Sequence, residues 1–134
     1  MEQIVIKNEI KELEKLANFI EEKGEKYELD LATTMNINLA LEEVVSNIIL
    51  YAYPSKMGDK ILIGLSMVDH MLVVTISDNG LEFDPTKMDD ADITLSAEER
   101  NIGGLGIFIV RKIMDEMNYE RIENRNVLTL KKKI

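Results

Sequence analysis

The chain has no cysteine among its 134 residues. That absence excludes disulfides, thiolate metal sites and a cysteine nucleophile, and it is compatible with a reducing compartment. Histidine is nearly absent too. His70 is the single one, so neither a histidine dyad nor a multi-histidine metal site can be built. No uninterrupted apolar run approaches the roughly 20 residues that span a bilayer. The opening segment MEQIVIKNEIKELEK lacks a basic stretch followed by an apolar one, so no secretory signal is expected. The expectation is a soluble, cytoplasmic protein without membrane contact. Positive charge is in deficit: 16 Lys and Arg stand against 25 Asp and Glu, a net charge of −9. A general binder of phosphate backbones needs concentrated basic residues, so no direct nucleic-acid partner is expected. Binding of one nucleotide stays open, because local backbone dipoles can outweigh the global charge.

What is present is an ordinary globular composition, 46% hydrophobic, in a length that fits one domain over residues 1–134 with a single core. Ile4 and Ile6 alternate in a short first strand. From Asn8, read as an N-cap, the segment to about Glu22 places Ile10, Leu13, Leu16, Phe19 and Ile20 at helical spacing, with Gly24 as its stop. A longer helix is expected from about Leu31 to Tyr51, closed by Tyr53-Pro54. Ile61, Ile63, Leu65 and Met67 mark one strand, and Leu72, Val74 and Ile76 the next. The short connection makes them an antiparallel hairpin with His70 as a solvated turn residue. Residues 79–102 are acidic and weakly periodic, which in a compact domain marks a functional loop, disorder or a wrong assignment. A helix follows from about Gly104 to Met117, with Met114 and Met117 as core. Two strands, YERIEN and VLTLKKK, turn at Asn124–Asn126. The order β-α-α-β-β-loop-α-β-β predicts an α+β two-layer sandwich: a mixed, mainly antiparallel sheet with helices on one face.

Three constellations carry candidate chemistry. In the long helix, Ile37, Leu41, Val44, Val45, Ile48 and Ala52 form the core face, and Glu42 and Ser46 point to solvent. Glu43 and Asn47, one turn apart, share a stripe beside Leu39 and Leu50. A carboxylate and a carboxamide so placed can offer a base and a metal-coordinating oxygen to one pocket. Alternatively, they are surface residues without a partner. Asp78 continues the row Leu72–Val74–Ile76, so its carboxylate faces the helix layer and needs a donor there. Asn79-Gly80 would ordinarily read as a hairpin turn. Here no strand follows, and Gly80 becomes a point of close backbone approach. Finally, Gly103-Gly104-Leu105-Gly106 opens an amphipathic helix, where converging amides and the helix dipole favour an anion. The same run could be a flexible hinge.

In this order, on these elements, the three resemble the ATP-binding domain shared by DNA gyrase B, histidine kinases and the MutL repair proteins, the GHKL or Bergerat fold. The segment DNGLEFDP and the run GGLGIFIVRKIMDEMNY are more narrowly similar to the anti-sigma-factor serine kinases of bacterial stress and sporulation control. The resemblance implies roles by position. Glu43 matches the general base, and Asn47 the asparagine that holds Mg²⁺. Asp78 matches the acceptor for the adenine amino group, and Gly80 the glycine that admits the purine. The amides around Gly103, Gly104, Leu105 and Gly106 match the phosphate cradle. Thr129 matches a threonine near adenine, and residues 84–102 the ATP lid. The chain departs from the pattern in three places. The first glycine box, DNGLEF, lacks a second glycine. Tyr51 stands where some relatives carry histidine. Ile102 occupies the place of an arginine beside the second glycine box, and Arg100, two residues earlier, is the candidate to reach the γ-phosphate in its stead.

The implied function is an ATP- and Mg²⁺-dependent serine/threonine kinase acting as an anti-sigma factor. It would phosphorylate an anti-anti-sigma antagonist of the STAS type and bind a sigma factor. The resemblance also implies a homodimer, with Ile4, Ile6 and the first helix as interface candidates. The rival readings are a non-catalytic ATP-dependent switch that sequesters its partner, a histidine-kinase catalytic domain acting in trans, and an α+β domain with no nucleotide site.

Overall fold

The computed structural model describes residues 1–53, 59–87 and 104–134, of which the side chains of 104–105 are excepted. Among them the order is β1 (Glu2–Lys7), α1 (Leu13–Lys26), α2 (Leu31–Asn47), β2 (Lys60–Val68), β3 (Met71–Asp78), α3 (Gly104–Ile113), β4 (Glu116–Ile122) and β5 (Arg125–Lys133). The strands form one sheet in the order β1-β2-β3-β5-β4. Every pairing is antiparallel, so the expectation of a mixed sheet is corrected. The rest of the expected α+β sandwich holds. Alternation decides which face is covered: Ile61, Ile63 and Leu65 on β2, Leu72, Val74 and Ile76 on β3, and Leu128 and Leu130 on β5 are buried. They pack with Leu16, Ile37, Leu41, Val44 and Val110 from the helices. Each such large apolar side chain contributes about 1.5–3 kcal/mol relative to exposure. On the opposite face Val5, Val68 and Ile122 remain exposed.

Several boundaries shift for local reasons. Asn8 is not a helix cap; it is buried, and its N–H donates to the Asp59 carbonyl (2.9 Å). A short 3₁₀ turn, Ile10–Glu12, precedes α1. Gly24 does not stop α1 but lies inside it, where a Cβ would stand 2.5 Å from Thr34 Oγ1. Glycine there lets α1 and α2 approach. The helix ends instead at Lys26 and is closed by Glu28, in the left-handed region at φ 57°, with Leu29 N–H donating to the Gly24 carbonyl and Glu28 N–H to that of Glu25. That is a Schellman closure with glutamate in the place glycine usually takes. Asp30 caps α2, its Oδ1 accepting from Thr33 N–H (2.7 Å).

Helix α2 ends at Asn47 and continues as a π-helical turn, Ile48–Ala52. The β2–β3 hairpin turns through Asp69 and His70, both at positive φ, as the sequence implies. Helix α3 ends at Ile113, so Met117 belongs to β4, though it still packs on the core. The last hairpin turns at Glu123-Asn124, and Asn126 lies within β5.

Candidate functional site

The end of β3 meets the end of α2 through side chains that the register selects. Asp78 faces the helix layer in phase with Ile76 and pairs with Asn126 across β5. It is 1% exposed. Its Oδ1 accepts from Gly80 N–H (2.8 Å) and Asn126 Nδ2 (2.9 Å), whereas its Oδ2 is buried with no hydrogen bond among the described residues. Burial pushes the Asp78 carboxyl above its usual range; the bonds from Asn126 and Gly80, the Arg121 charge and the neighbouring Tyr53 hydroxyl only partly offset that. Tyr53 stands beside it, its hydroxyl accepting from Asn79 N–H (2.9 Å). Burial, and then the Asp78 charge, push that hydroxyl up to about 12.

Gly80 makes a close approach, and what it approaches is protein. A Cβ there would lie 2.7 Å from both Cβ and O of Ala52, in the π turn, and Leu81 N–H donates to the same carbonyl (2.9 Å). Glycine therefore lets the loop after β3 seat on the end of α2. Asn126 ties that loop down. Its Nδ2 also donates to Leu81 O (2.8 Å), and its Oδ1 accepts from Phe83 N–H (3.2 Å), Tyr119 Oη (2.5 Å) and Arg121 Nη1 (3.1 Å). Arg121 reaches on to the Gly80 carbonyl (2.9 Å).

On α2, Glu43 and Asn47 share one stripe as expected, and Glu42 is exposed. Glu43 is half-buried; burial first, and then the Glu42 charge, raise its carboxyl above the ordinary value. Gly106, on the first turns of α3, sits directly against it, because a Cβ there would be 2.5 Å from Glu43 Oε2. Asn47 is 4% exposed, and among the described residues its Nδ2 has no partner; one turn on, the Tyr51 hydroxyl is likewise buried without one. The Tyr51 ring packs on Phe83 at 5.4 Å between centroids. Native interiors seldom leave buried polar groups unmatched. Here Asn47 Nδ2, Tyr51 Oη and Asp78 Oδ2 are all unmatched, on elements that converge, as a polar ligand would require.

The structure thus brings together Glu43, Asn47, Asp78, Gly80 and Gly106 on adjoining elements. Gly104 and Leu105 form the start of α3. Gly103 and Arg100 lie outside the described residues, as does most of the expected lid. At its start, a 3₁₀ turn over Pro85–Lys87 is held by Arg111 Nη2 on Thr86 O (3.0 Å). Thr129 is a correction: it pairs with Thr75 on the uncovered face of the sheet, one residue out of phase with Asp78. The β5 residue delivered to Asp78 is Asn126, which a turn assigned at 124–126 hides. Its signal is its phase, two residues before Leu128 and four before Leu130. Mg²⁺ takes oxygen ligands and keeps most of its shell as water and phosphate oxygen; beside its orphaned Nδ2, Asn47 has one carboxamide oxygen to offer such an ion.

The family model for the histidine kinase-like ATPase domain matches residues 6–132. A serine-protein kinase RsbW of Bacillus cereus is 28% identical over 100 residues, covering 72% of this chain and 62% of that kinase. The one from Listeria monocytogenes is 27% identical over 100 residues, covering 72% and 64%. The chain therefore spans less than two thirds of the length of these relatives. Among solved structures, the histidine kinase domain of the Erythrobacter litoralis EL346 blue-light activated histidine kinase aligns with a TM-score of 0.57. The two share 22% identity, over 78% of this chain and 46% of that one, so the likeness is one of fold.

Proposed function

This chain belongs to the histidine kinase-like ATPase family, and from that premise we propose that it binds ATP with Mg²⁺ and phosphorylates a serine or threonine of a partner protein. The observation that carries the nucleotide reading is Asp78. One carboxylate oxygen is fixed by two donors, and the other is buried, has no hydrogen bond among the described residues and can accept an amino N–H. The Gly80–Phe83 loop, clamped by Asn126 and Arg121, orders the wall where a purine would lie. Asn47 would hold Mg²⁺, which supplies charge neutralisation for phosphoryl transfer. The amides at Gly103–Gly106 would cradle the phosphates. Glu43, its basicity raised by burial, takes the proton from the attacking hydroxyl.

The relatives named serine-protein kinase RsbW support transfer to serine. The likeness of DNGLEFDP and GGLGIFIVRKIMDEMNY to the anti-sigma-factor serine kinases supports the finer reading of an anti-sigma factor with an anti-anti-sigma antagonist and a sigma factor as partners. Calorimetric titration with ATP and ADP, with and without Mg²⁺, on wild type and Asp78→Asn tests the site. Affinity unchanged by that substitution would remove the adenine assignment. Incubation of wild type and Glu43→Ala with labelled ATP and candidate antagonists tests transfer. Transfer retained by Glu43→Ala would remove the base. ATP binding without transfer by the wild type would instead favour a non-catalytic switch.

A further inference from the structure

Helix α2 has a second working side. Leu31, Met35 and Leu39 recur every four residues along it and are 74%, 62% and 40% exposed. They form a line of about 12 Å, two helical turns. Between this line and α1 runs a groove of about 330 Å³, in which the nearly buried Ile20 and Thr34 form the floor. Isolated exposed apolar residues need no explanation, but a contiguous line beside a groove marks a contact surface. Met35 at its centre suits it to adapt to a partner's shape.

The charge around the groove chooses the occupant. Glu21 on α1 and Glu42 on α2 line it, both exposed, and among the described residues no lysine or arginine does. The nearby cations of α1 are directed elsewhere: Lys23 and Lys26 both pair with Glu2 on β1. A second copy of this chain would bring its own Glu21 and Glu42, adding like charge in a molecule already at −9. We propose that the α1–α2 groove docks a cationic amphipathic helix of a partner protein. Its apolar side chains seat on Leu31, Met35 and Leu39, and its lysines or arginines face Glu21 and Glu42. The inference does not depend on the nucleotide reading: Glu42 adjoins Glu43 and acts on its charge, so the variants that test the groove are at Glu21 and Met35, which have no part in that site.

The test uses the whole protein and a fluorescein-labelled helical peptide of about 18 residues with leucine on one face and lysine on the other. Two controls accompany it: a version with glutamate for lysine, and one of the same composition with the leucines scrambled off their face. Anisotropy should show saturable binding of the first peptide and none of the controls. Glu21→Lys should weaken it by about tenfold, and Met35→Glu should abolish it, with melting temperatures near wild type because both positions are exposed. No binding, equal binding of the scrambled peptide, or unchanged affinity in either variant overturns the proposal. Parallel ATP titrations on Met35→Glu keep this outcome separate from that of the nucleotide site.

Discussion

Gly106 on α3 lies against Glu43 on α2 so closely that a methyl group on it would stand 2.5 Å from the carboxylate Oε2. What such a methyl meets is the tip of a flexible side chain, not backbone, so Glu43 can move aside at little cost in stability. The geometry proposed for it as a base cannot survive that move. Gly106→Ala is expected to melt near the wild type yet transfer phosphate about a hundredfold more slowly, the size of effect that a small misplacement produces. Single-turnover transfer beside a thermal melt reads both quantities.

The Glu43 carboxyl is raised above 4.5 by burial and then by the Glu42 charge. A general base works deprotonated, so transfer should rise with pH through a midpoint above the ordinary glutamate value. Glu42→Gln removes the second cause and should move that midpoint down without lowering the plateau. A pH–rate profile that does not respond to Glu42→Gln would contradict the assignment of Glu43 as the titrating group.

Asp78 has its carboxyl raised above 3.8 chiefly by burial. A folded-state value above the unfolded one stabilises the fold fully below the unfolded value, and that contribution is lost as pH rises through the folded one. Asp78→Asn keeps an oxygen for Gly80 and Asn126 but has no charge to bury. Its stability relative to wild type should therefore improve as pH climbs from about 4 toward neutrality, while ATP affinity falls tenfold or more. Denaturant melts across that range, with titrations at pH 7, check the two halves separately.

Asn126 joins Asp78 Oδ1, Leu81 O and Phe83 N–H through one carboxamide. Asn126→Leu conserves volume but strands those groups, at a cost of about 3 kcal/mol for buried polar atoms left unmatched. Urea unfolding gives the loss. Faster proteolysis at residues 81–83 should accompany it, because the side chain is what pins that loop to β5.

The parts of this site that periodicity alone predicts are those whose geometry is local. Glu43 and Asn47 fall on one stripe because 3.6 residues make a turn. Asp78 faces inward because strand side chains alternate from Ile76. The parts that sequence reading misplaces depend on partners distant in the chain. Gly24 reads as a helix stop, but its small size serves contact with Thr34. The last helix reads through to Met117 because Met114-Asp115-Glu116 contains no glycine or proline to mark its end. Thr129 is chosen by residue type, whereas the β3–β5 register sets Asn126 opposite Asp78 and turns Thr129 away.

Tyr51 separates a group kept for structure from one kept for a ligand. Its ring packs on Phe83, and its hydroxyl is buried in the π turn with no partner. Tyr51→Phe retains the ring contact and deletes only the unmatched hydroxyl, whose burial costs about 1–3 kcal/mol. Without nucleotide, then, the variant should be at least as stable as the wild type. If the hydroxyl is there to meet a bound nucleotide, the same variant should gain less from saturating ATP and Mg²⁺, so the wild type closes or reverses the gap when the ligand is added. Melts of both proteins with and without ATP and Mg²⁺ measure that crossing. A variant that is destabilised without ligand, yet shows the full ATP shift, would make the hydroxyl a structural group and remove it from the site.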